Sequence, residues 1–203
     1  QTLRTKRGVL LYTLYTTSNA SLAKQFTCVL LYFYMAIIKQ KDQRVGIFID
    51  AQNLYHTAKH IYKRKVNFAN VVKDVLAGRS LVRAIAYVIT TEAEDEKAFL
   101  SALNKAGIET KSKDLQIFYD GSKKADWDIG LAIDCVSMAP KLDAVIIVSG
   151  DGDFVPLCNY LRYHHGVQVE VATFGQSASA SLKVAADDFF DLSNHHKKYL
   201  IGF

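Results

Sequence analysis

The stretch Ala144-Val145-Ile146-Ile147-Val148-Ser149-Gly150-Asp151-Gly152-Asp153-Phe154 decides the fold. Its first five residues are apolar and mostly β-branched, as in a strand covered on both faces. The run stops at Ser149-Gly150, and two carboxylates follow, two positions apart. Beyond them Phe154, Leu157, Cys158 and Leu161 recur at i, i+3, i+4 and i+7, the stripe of a helix that turns one face to a core. Pro156 falls in the first turn of that helix, where its missing N–H costs little. A buried strand, an acidic turn and an amphipathic helix form one unit of a parallel α/β sheet.

The same pattern recurs along the chain. Val45–Ile49 is an apolar run that ends at Asp50, and Val82–Ile89 is a second, rich in branched and aromatic residues. Leu115–Tyr119 reads as a shorter strand. Val167–Val171 alternates apolar residues with Gln168 and Glu170, so one of its faces is expected to meet solvent. Between these runs lie two more helical stripes, Phe99, Ala102, Leu103, Ala106 and Ile129, Ala132, Ile133, Val136. Gly107 and Gly166 follow helix ends, where a left-handed C-terminal cap is expected. The fold class is therefore α/β: a Rossmann-like, mostly parallel sheet with helices on both faces.

The chain has 203 residues, enough for one domain with a sizeable core. Half of them are apolar, a globular composition rather than a disordered one. The net charge of +5 is unevenly placed. Residues 1–34 hold Arg4, Lys6, Arg7 and Lys24 and no acid; without these four, 21 basic residues face 20 acidic ones. A nucleic-acid surface must then come from local segregation of charge. Three cysteines, Cys28, Cys135 and Cys158, with no CxxC, argue against a disulfide framework or a zinc knuckle. Cys135 and Cys158 sit in apolar helical patterns and read as small buried hydrophobes. No segment reaches the ~18 apolar residues of a membrane span. The expected organisation is an N-terminal extension at 1–34, one α/β domain at 35–193 and a short basic tail at 194–203, in the cytoplasm.

In an open parallel sheet, ligands bind outside the carboxyl ends of the strands. Two strands here run straight into acids: Asp50, with Asn53 three residues on, and Asp151 with Asp153 beyond Ser149. Glycines on both sides of Asp151 free its backbone to turn both carboxylates toward one point. Asp153 also suits the N-cap of the following helix. A third acidic element, Lys123-Lys124-Ala125-Asp126-Trp127-Asp128, precedes the Ile129 helix, where acids favour the helix dipole. At about 100° per residue, Asp134 lies roughly 120° around that helix from Asp128, so the two cannot face one point. Asp128 is preferred; Asp126 and Asp134 are alternatives. Carboxylates this close repel unless a cation neutralises them. All-oxygen ligands select hard cations, so Mg²⁺ or Mn²⁺ is expected, bound by Asp50, Asp128, Asp151 and Asp153. Such a site can activate water against a phosphodiester.

These residues resemble the NYN branch of the PIN-like nucleases, especially its LabA-like group. The resemblance is carried by Phe48-Ile49-Asp50-Ala51-Gln52-Asn53, by Lys124-Ala125-Asp126-Trp127-Asp128-Ile129-Gly130-Leu131-Ala132-Ile133-Asp134, and by Val148-Ser149-Gly150-Asp151-Gly152-Asp153-Phe154. It spans roughly residues 44–192, in an order that fits a whole domain. It implies a PIN-like sheet, an acidic metal cluster at Asp50, Asp128, Asp151 and Asp153, Asn53 as a supporting polar residue, and RNA cleavage. Ser149 is counted with the supporting residues.

Lys59-His60-Ile61-Tyr62-Lys63-Arg64-Lys65 is the densest basic cluster, with aromatic residues interleaved. Lys63, Arg64 and Lys65, with Lys123 and Lys124, are the candidates for contact with an RNA backbone; a solvated helix face and charge balance explain them equally well. The pairs His164-His165 and His195-His196 read as surface residues. No nucleophile elbow, P-loop or dinucleotide fingerprint occurs. Three functions compete: a metal-dependent endoribonuclease, a non-catalytic RNA-binding or regulatory module of the same fold, and a phosphoryl-transfer or hydrolase domain for small molecules. RNA is the expected partner, a homodimer is an optional assembly, and no membrane contact is expected.

Overall fold

The computed structural model describes residues 3–4, 10–11, 37, 39–90, 94–114, 116–117, 123–124 and 127–202. The chain divides into two compact units, Gln1–Ile38 and Lys39–Phe203. In the first, β1 (Leu3–Arg4) pairs antiparallel with β2 (Leu10–Leu11). The extension expected at 1–34 otherwise lies outside the described residues.

The second unit is built on six parallel strands. In chain order they are β3 (Arg44–Asp50), β5 (Ser80–Thr90), β6 (Glu109–Asp114), β9 (Ala144–Val148), β10 (Gln168–Thr173) and β11 (Asp188–Asp191). Their spatial order is β11-β10-β9-β3-β5-β6. The apolar runs Val45–Ile49 and Ala144–Val148 end up where burial is greatest. β9 is buried at all five positions and lies beside β3.

Helices cover both faces, as the apolar stripes require. On one face lie α1 (Ala51–Tyr62), α2 (Phe68–Leu76) and α3 (Glu94–Lys105). Leu54, Val71, Val75 and Leu103 pack there on Ile47, Ile49 and Ile146. On the other face lie α4 (Asp128–Met138), α5 (Val155–Tyr160) and α6 (Ala180–Ala185). Leu131, Cys135, Cys158 and Leu182 pack there on Phe48, Ile147 and Val171. Burial pushes the Cys158 thiol up to about 12 and raises Cys135 as well, so both stay protonated small hydrophobes. Gly107 and Gly166 take positive φ after helix ends, as expected. Among the described residues no helix is long and apolar enough to cross a membrane.

The structure differs from the sequence reading in three places. The strand expected at Leu115–Tyr119 is instead β6, Glu109–Asp114, a wholly polar edge strand. An edge strand has one neighbour and shows its side chains to water, so hydropathy does not mark it. Gln116–Ile117 (β7) forms a separate antiparallel pair with Lys123–Lys124 (β8), and Leu115 and 118–119 lie outside the described residues.

The polar face of β10, expected to meet solvent, is half-buried at Gln168 and closed off at Glu170. Glu170 is 3 % exposed and forms a bidentate pair with Arg79, whose Nη2 lies 3.0 Å from Oε2. Lys39 Nζ adds a contact at 2.9 Å and Gln168 Nε2 donates at 2.7 Å. A buried carboxylate persists only when paired and hydrogen-bonded in this way.

The stretch 194–203, read as a tail, is packed onto the domain from His195 to Ile201. It contains α7 (His196–Tyr199) and β12 (Leu200–Ile201), which pairs antiparallel with β4 (Lys65–Val66). Tyr199 is 1 % exposed and donates its hydroxyl to Asp74 Oδ2 at 2.7 Å. A single aromatic anchor among lysines leaves no periodic trace in so short a segment.

Candidate functional site

Side chains alternate across each strand, so the last residues of parallel strands line up at one edge. Phe48 belongs to one core layer and Ile49 to the other, which puts Asp50 on the side of α4, α5 and α6. Asp50 sits opposite Tyr87 on β5. Extending the β3–β9 register by one residue from Ile49 and Val148 places Asp50 beside Ser149. Extending the β9–β10 register places Ser149 beside Thr173, which itself sits opposite Asp191 on β11. Tyr87, Asp50, Ser149, Thr173 and Asp191 thus form one polar row at the carboxyl edge.

Asp50 and Ser149 anchor a hydrogen-bonded group in the middle of that row. Asp50 caps α1: its Oδ1 accepts from Asn53 N at 3.0 Å. Its Oδ2 accepts from Ser149 Oγ at 3.2 Å. Ser149 Oγ in turn accepts from Asp151 N at 3.2 Å, and Asn53 Oδ1 accepts from Gly150 N at 3.0 Å. Asn53 therefore bolts the two acidic strand ends together. Asp151 Oδ1 accepts from Asp153 N at 3.0 Å, so Asp151, not Asp153, is the local cap. Asp153 is exposed. Both strand-end acids thus have a local role that the sequence did not show.

The acidic turn is clasped from the far side by the loop after β10. Ser179 N donates to Gly150 O at 3.0 Å. A Cβ on Gly152 would come within 2.9 Å of Ser179 Oγ, and one on Gly150 within 3.2 Å of Ser177 O. Gly150 makes room for the backbone of that loop and Gly152 for the Ser179 side chain, in addition to the freedom they lend the turn.

The site is electrostatically loaded. Burial pushes the Asp50 carboxyl above its ordinary value, and the Asp151 charge adds to this. The hydrogen bonds from Asn53 and Ser149 oppose that rise without cancelling it. The charged form of Asp50 is thus held at a cost in the folded chain.

The remaining candidates are placed as follows. Asp128 opens α4, half-buried, on the side of the sheet that Asp50 faces. Trp127 before it donates Nε1–H to Val88 O at 3.1 Å, which fixes the helix start near the carboxyl end of β5. Asp134, further along α4, is already engaged: it accepts from Tyr87 OH and from Lys111 Nζ, each at 2.6 Å. Burial pushes its carboxyl up, but those two partners outweigh burial and hold it below the ordinary value. Asp126 lies outside the described residues, as do the side chains of Lys123 and Lys124. Lys63, Arg64 and Lys65 are exposed at the far end of α1, ~17 Å along the helix from Asp50. Among the described residues no group of three or more His, Cys, Asp or Glu side chains is gathered closely enough to hold a metal ion.

Sequence reasoning missed Thr173 and Ser179. Thr173 Oγ1 is buried without a partner among the described residues, and only strand pairing brings it beside Ser149. Ser179 belongs to a loop whose serines carry no periodic signal.

A crystal structure of a protein of unknown function from Vibrio parahaemolyticus superposes with a TM-score of 0.73 at 28% identity, over 81% of this chain and 100% of that one. The low amplitude and bright protein LabA of Synechococcus elongatus is 27% identical over 165 residues, 76% of this chain and 86% of its own length. Residues 44–193, which hold all six sheet strands and the acidic edge, match the sequence profile of the NYN domain, and the chain belongs to that family.

Proposed function

We propose that this protein is a ribonuclease that hydrolyses RNA phosphodiester bonds with Mg²⁺ or Mn²⁺ at Asp50 and Asp151. One observation carries the reading: a half-buried carboxylate, destabilised in its charged form, is tied through Ser149 to a second acid at the carboxyl edge of a parallel sheet. The donor set suits a hard cation, since every side-chain atom in the group that can face a ligand is oxygen or an amide. Mg²⁺ is commonly held by one or two carboxylates and keeps several waters, so a cage of three acids is not required. When bound, the cation supplies charge neutralisation for the phosphodiester and for an attacking water. Asp50 and Asp151 would hold it. Asp128 and Asp153 stand at the same edge as further ligands or as groups that orient water. Ser149 and Asn53 fix the spacing of the two strand ends.

A second reading is an RNA-binding module without turnover. It is favoured by the double duty of Asp50 and Asp151 as helix caps, which would retain both acids without any catalysis. One experiment separates the two: incubate the full chain with labelled single-stranded RNA and Mn²⁺ or Mg²⁺, beside Asp50→Asn and Asp151→Asn. Metal-dependent cleavage lost in both variants supports the nuclease. Cleavage equal in all three proteins would sink it. RNA binding without cleavage in any of them supports the second reading.

A further inference from the structure

The domain is nearly neutral overall, yet two basic segments distant in sequence are folded against each other. One is the end of α1 with β4, which carries Lys59, Lys63, Arg64 and Lys65, all exposed. The other is the C-terminal segment His195-His196-Lys197-Lys198. The Tyr62 ring stacks flat on the His196 ring, 5.0 Å between centroids and 9° between planes. Lys65 pairs with Ile201 across the β4–β12 ribbon. Asn70 Nδ2 donates to Lys198 O at 2.8 Å, and Asn67 N donates to Tyr199 O at 2.8 Å. Asp74, the acid that lies here, is taken up by Lys198 at 2.6 Å and by Tyr199. A groove of about 470 Å³ runs along the C-terminal segment between Asp74 and Lys197.

We infer that these two segments form one binding surface for the phosphate backbone of single-stranded RNA, and that residues 195–198 are its second half. The inference takes RNA as the ligand, as the proposed function does, but it does not require cleavage. Charge segregated on one face of a neutral domain is the electrostatic footprint of a polyanion site. The Tyr62–His196 stack, with Tyr62 also against the Phe174 ring, holds the two segments together as one surface. The surface begins at one end of α1 and the acids lie at the other, so a bound strand would be led along the helix toward Asp50. An anionic membrane is the poorer fit, because a membrane-seated surface needs several exposed apolar side chains. Among the described residues of this patch Ile201 is the large hydrophobic that is exposed, at 54%.

The test measures binding of a fluorescent 12-nucleotide oligouridylate to the full chain in EDTA, which removes cleavage from the readout. Lys59→Gln/Lys65→Gln changes the first segment and His195→Gln/Lys197→Gln the second. Lys105→Gln/Lys141→Gln, exposed lysines on α3 and ahead of β9, is the control. Each patch variant is expected to weaken binding about tenfold or more. It should also flatten the slope of log K against log salt by roughly 0.7 for each phosphate no longer neutralised. The control should bind as the parent does. Patch variants that bind like the parent overturn the inference. So does an equal loss in the control, or binding to vesicles rich in phosphatidylserine in place of RNA. Binding that depends on the patch while metal gives no cleavage leaves this inference standing and removes the nuclease reading alone.

Discussion

Ser149 Oγ lies 3.2 Å from Asp50 Oδ2, although 99 residues separate the two in the chain. The same hydroxyl accepts from Asp151 N, so one small side chain couples both acidic strand ends. Ser149 is 0 % exposed, so its hydroxyl is shielded from bulk solvent.

Replacing Ser149 by Ala should therefore be felt in both stability and activity. Leaving buried partners unsatisfied costs about 1–3 kcal/mol. A residue that orients ligating groups typically changes metal affinity or activity by roughly 10–100-fold. Thermal melts and Mn²⁺ titrations of Ser149→Ala would show both effects. Ser149→Thr keeps the hydroxyl and should recover part of the metal affinity. A Ser149→Ala protein with parental metal affinity would refute the coupling.

Asp50→Asn should separate stability from function. The folded-state pKa of Asp50 is raised, so its contribution to stability is present at low pH and is lost as pH climbs through that pKa. Asparagine caps a helix about as well as aspartate and carries no charge. The variant should melt at or above the parent at neutral pH, with the gap narrowing toward acid. Each kcal/mol recovered corresponds to about 2–4 °C in a chain of this size. Metal-dependent cleavage should be abolished. A variant that melts well below the parent at pH 8 would show that the Asp50 charge is stabilised by something outside the described group.

Divalent cations should raise the melting temperature of the parent chain. A ligand at 100 times its Kd adds about 2.7 kcal/mol to the folded state. The shift with Mn²⁺ should vanish in Asp151→Asn and in Asp50→Asn, and should survive Asp134→Asn, because Asp134 is engaged with Lys111 and Tyr87. Loss of the shift in Asp134→Asn alone would place the cation on the other side of α4.

The Arg79–Glu170 pair is buried on both sides, 0% and 4% exposed at the side chains. Removing one partner strands a buried charge and costs about 3–5 kcal/mol. Arg79→Met and Glu170→Met should each lower the urea midpoint strongly, and the double substitution should recover much of the loss. A double variant that loses the full sum of both would mean that the two side chains act independently. Lys39, which shares Glu170, would then be the next residue to replace.

Tyr199→Ala tests whether the C-terminal segment belongs to the domain. Truncating a buried aromatic residue costs about 3–5 kcal/mol, whereas the same change in a solvated tail costs almost nothing. Chemical denaturation of the full chain distinguishes the two.

Hydropathy alone located the strands that lie inside the sheet. Val45–Ile49, Ala84–Val88 within the Val82–Ile89 run, and Ala144–Val148 are apolar because both their faces are covered, and each became part of a strand. The same rule failed at the edges, where β6 is polar throughout and β11 carries an acid at each end. Asp50 and Asp151 could be singled out because each directly follows or closely follows a buried run, where no packing role was expected for a charge. Their role as caps could not, since a cap is defined by where the next backbone N–H points.

What the sequence determined by itself is local: periods of two and 3.6, glycine caps, and acids at the ends of two strands. From those the parallel α/β class follows, because continuous apolar strands alternating with amphipathic helices have no other way to bury both faces. The tertiary structure decided everything that depends on pairing between distant segments. It set Asp50 beside Ser149, turned Asp134 toward Lys111, buried Glu170 on Arg79, and stacked His196 of the C-terminal segment on Tyr62 of α1. Each of these is a contact across many residues, and its energy exists only once the strands have found their order.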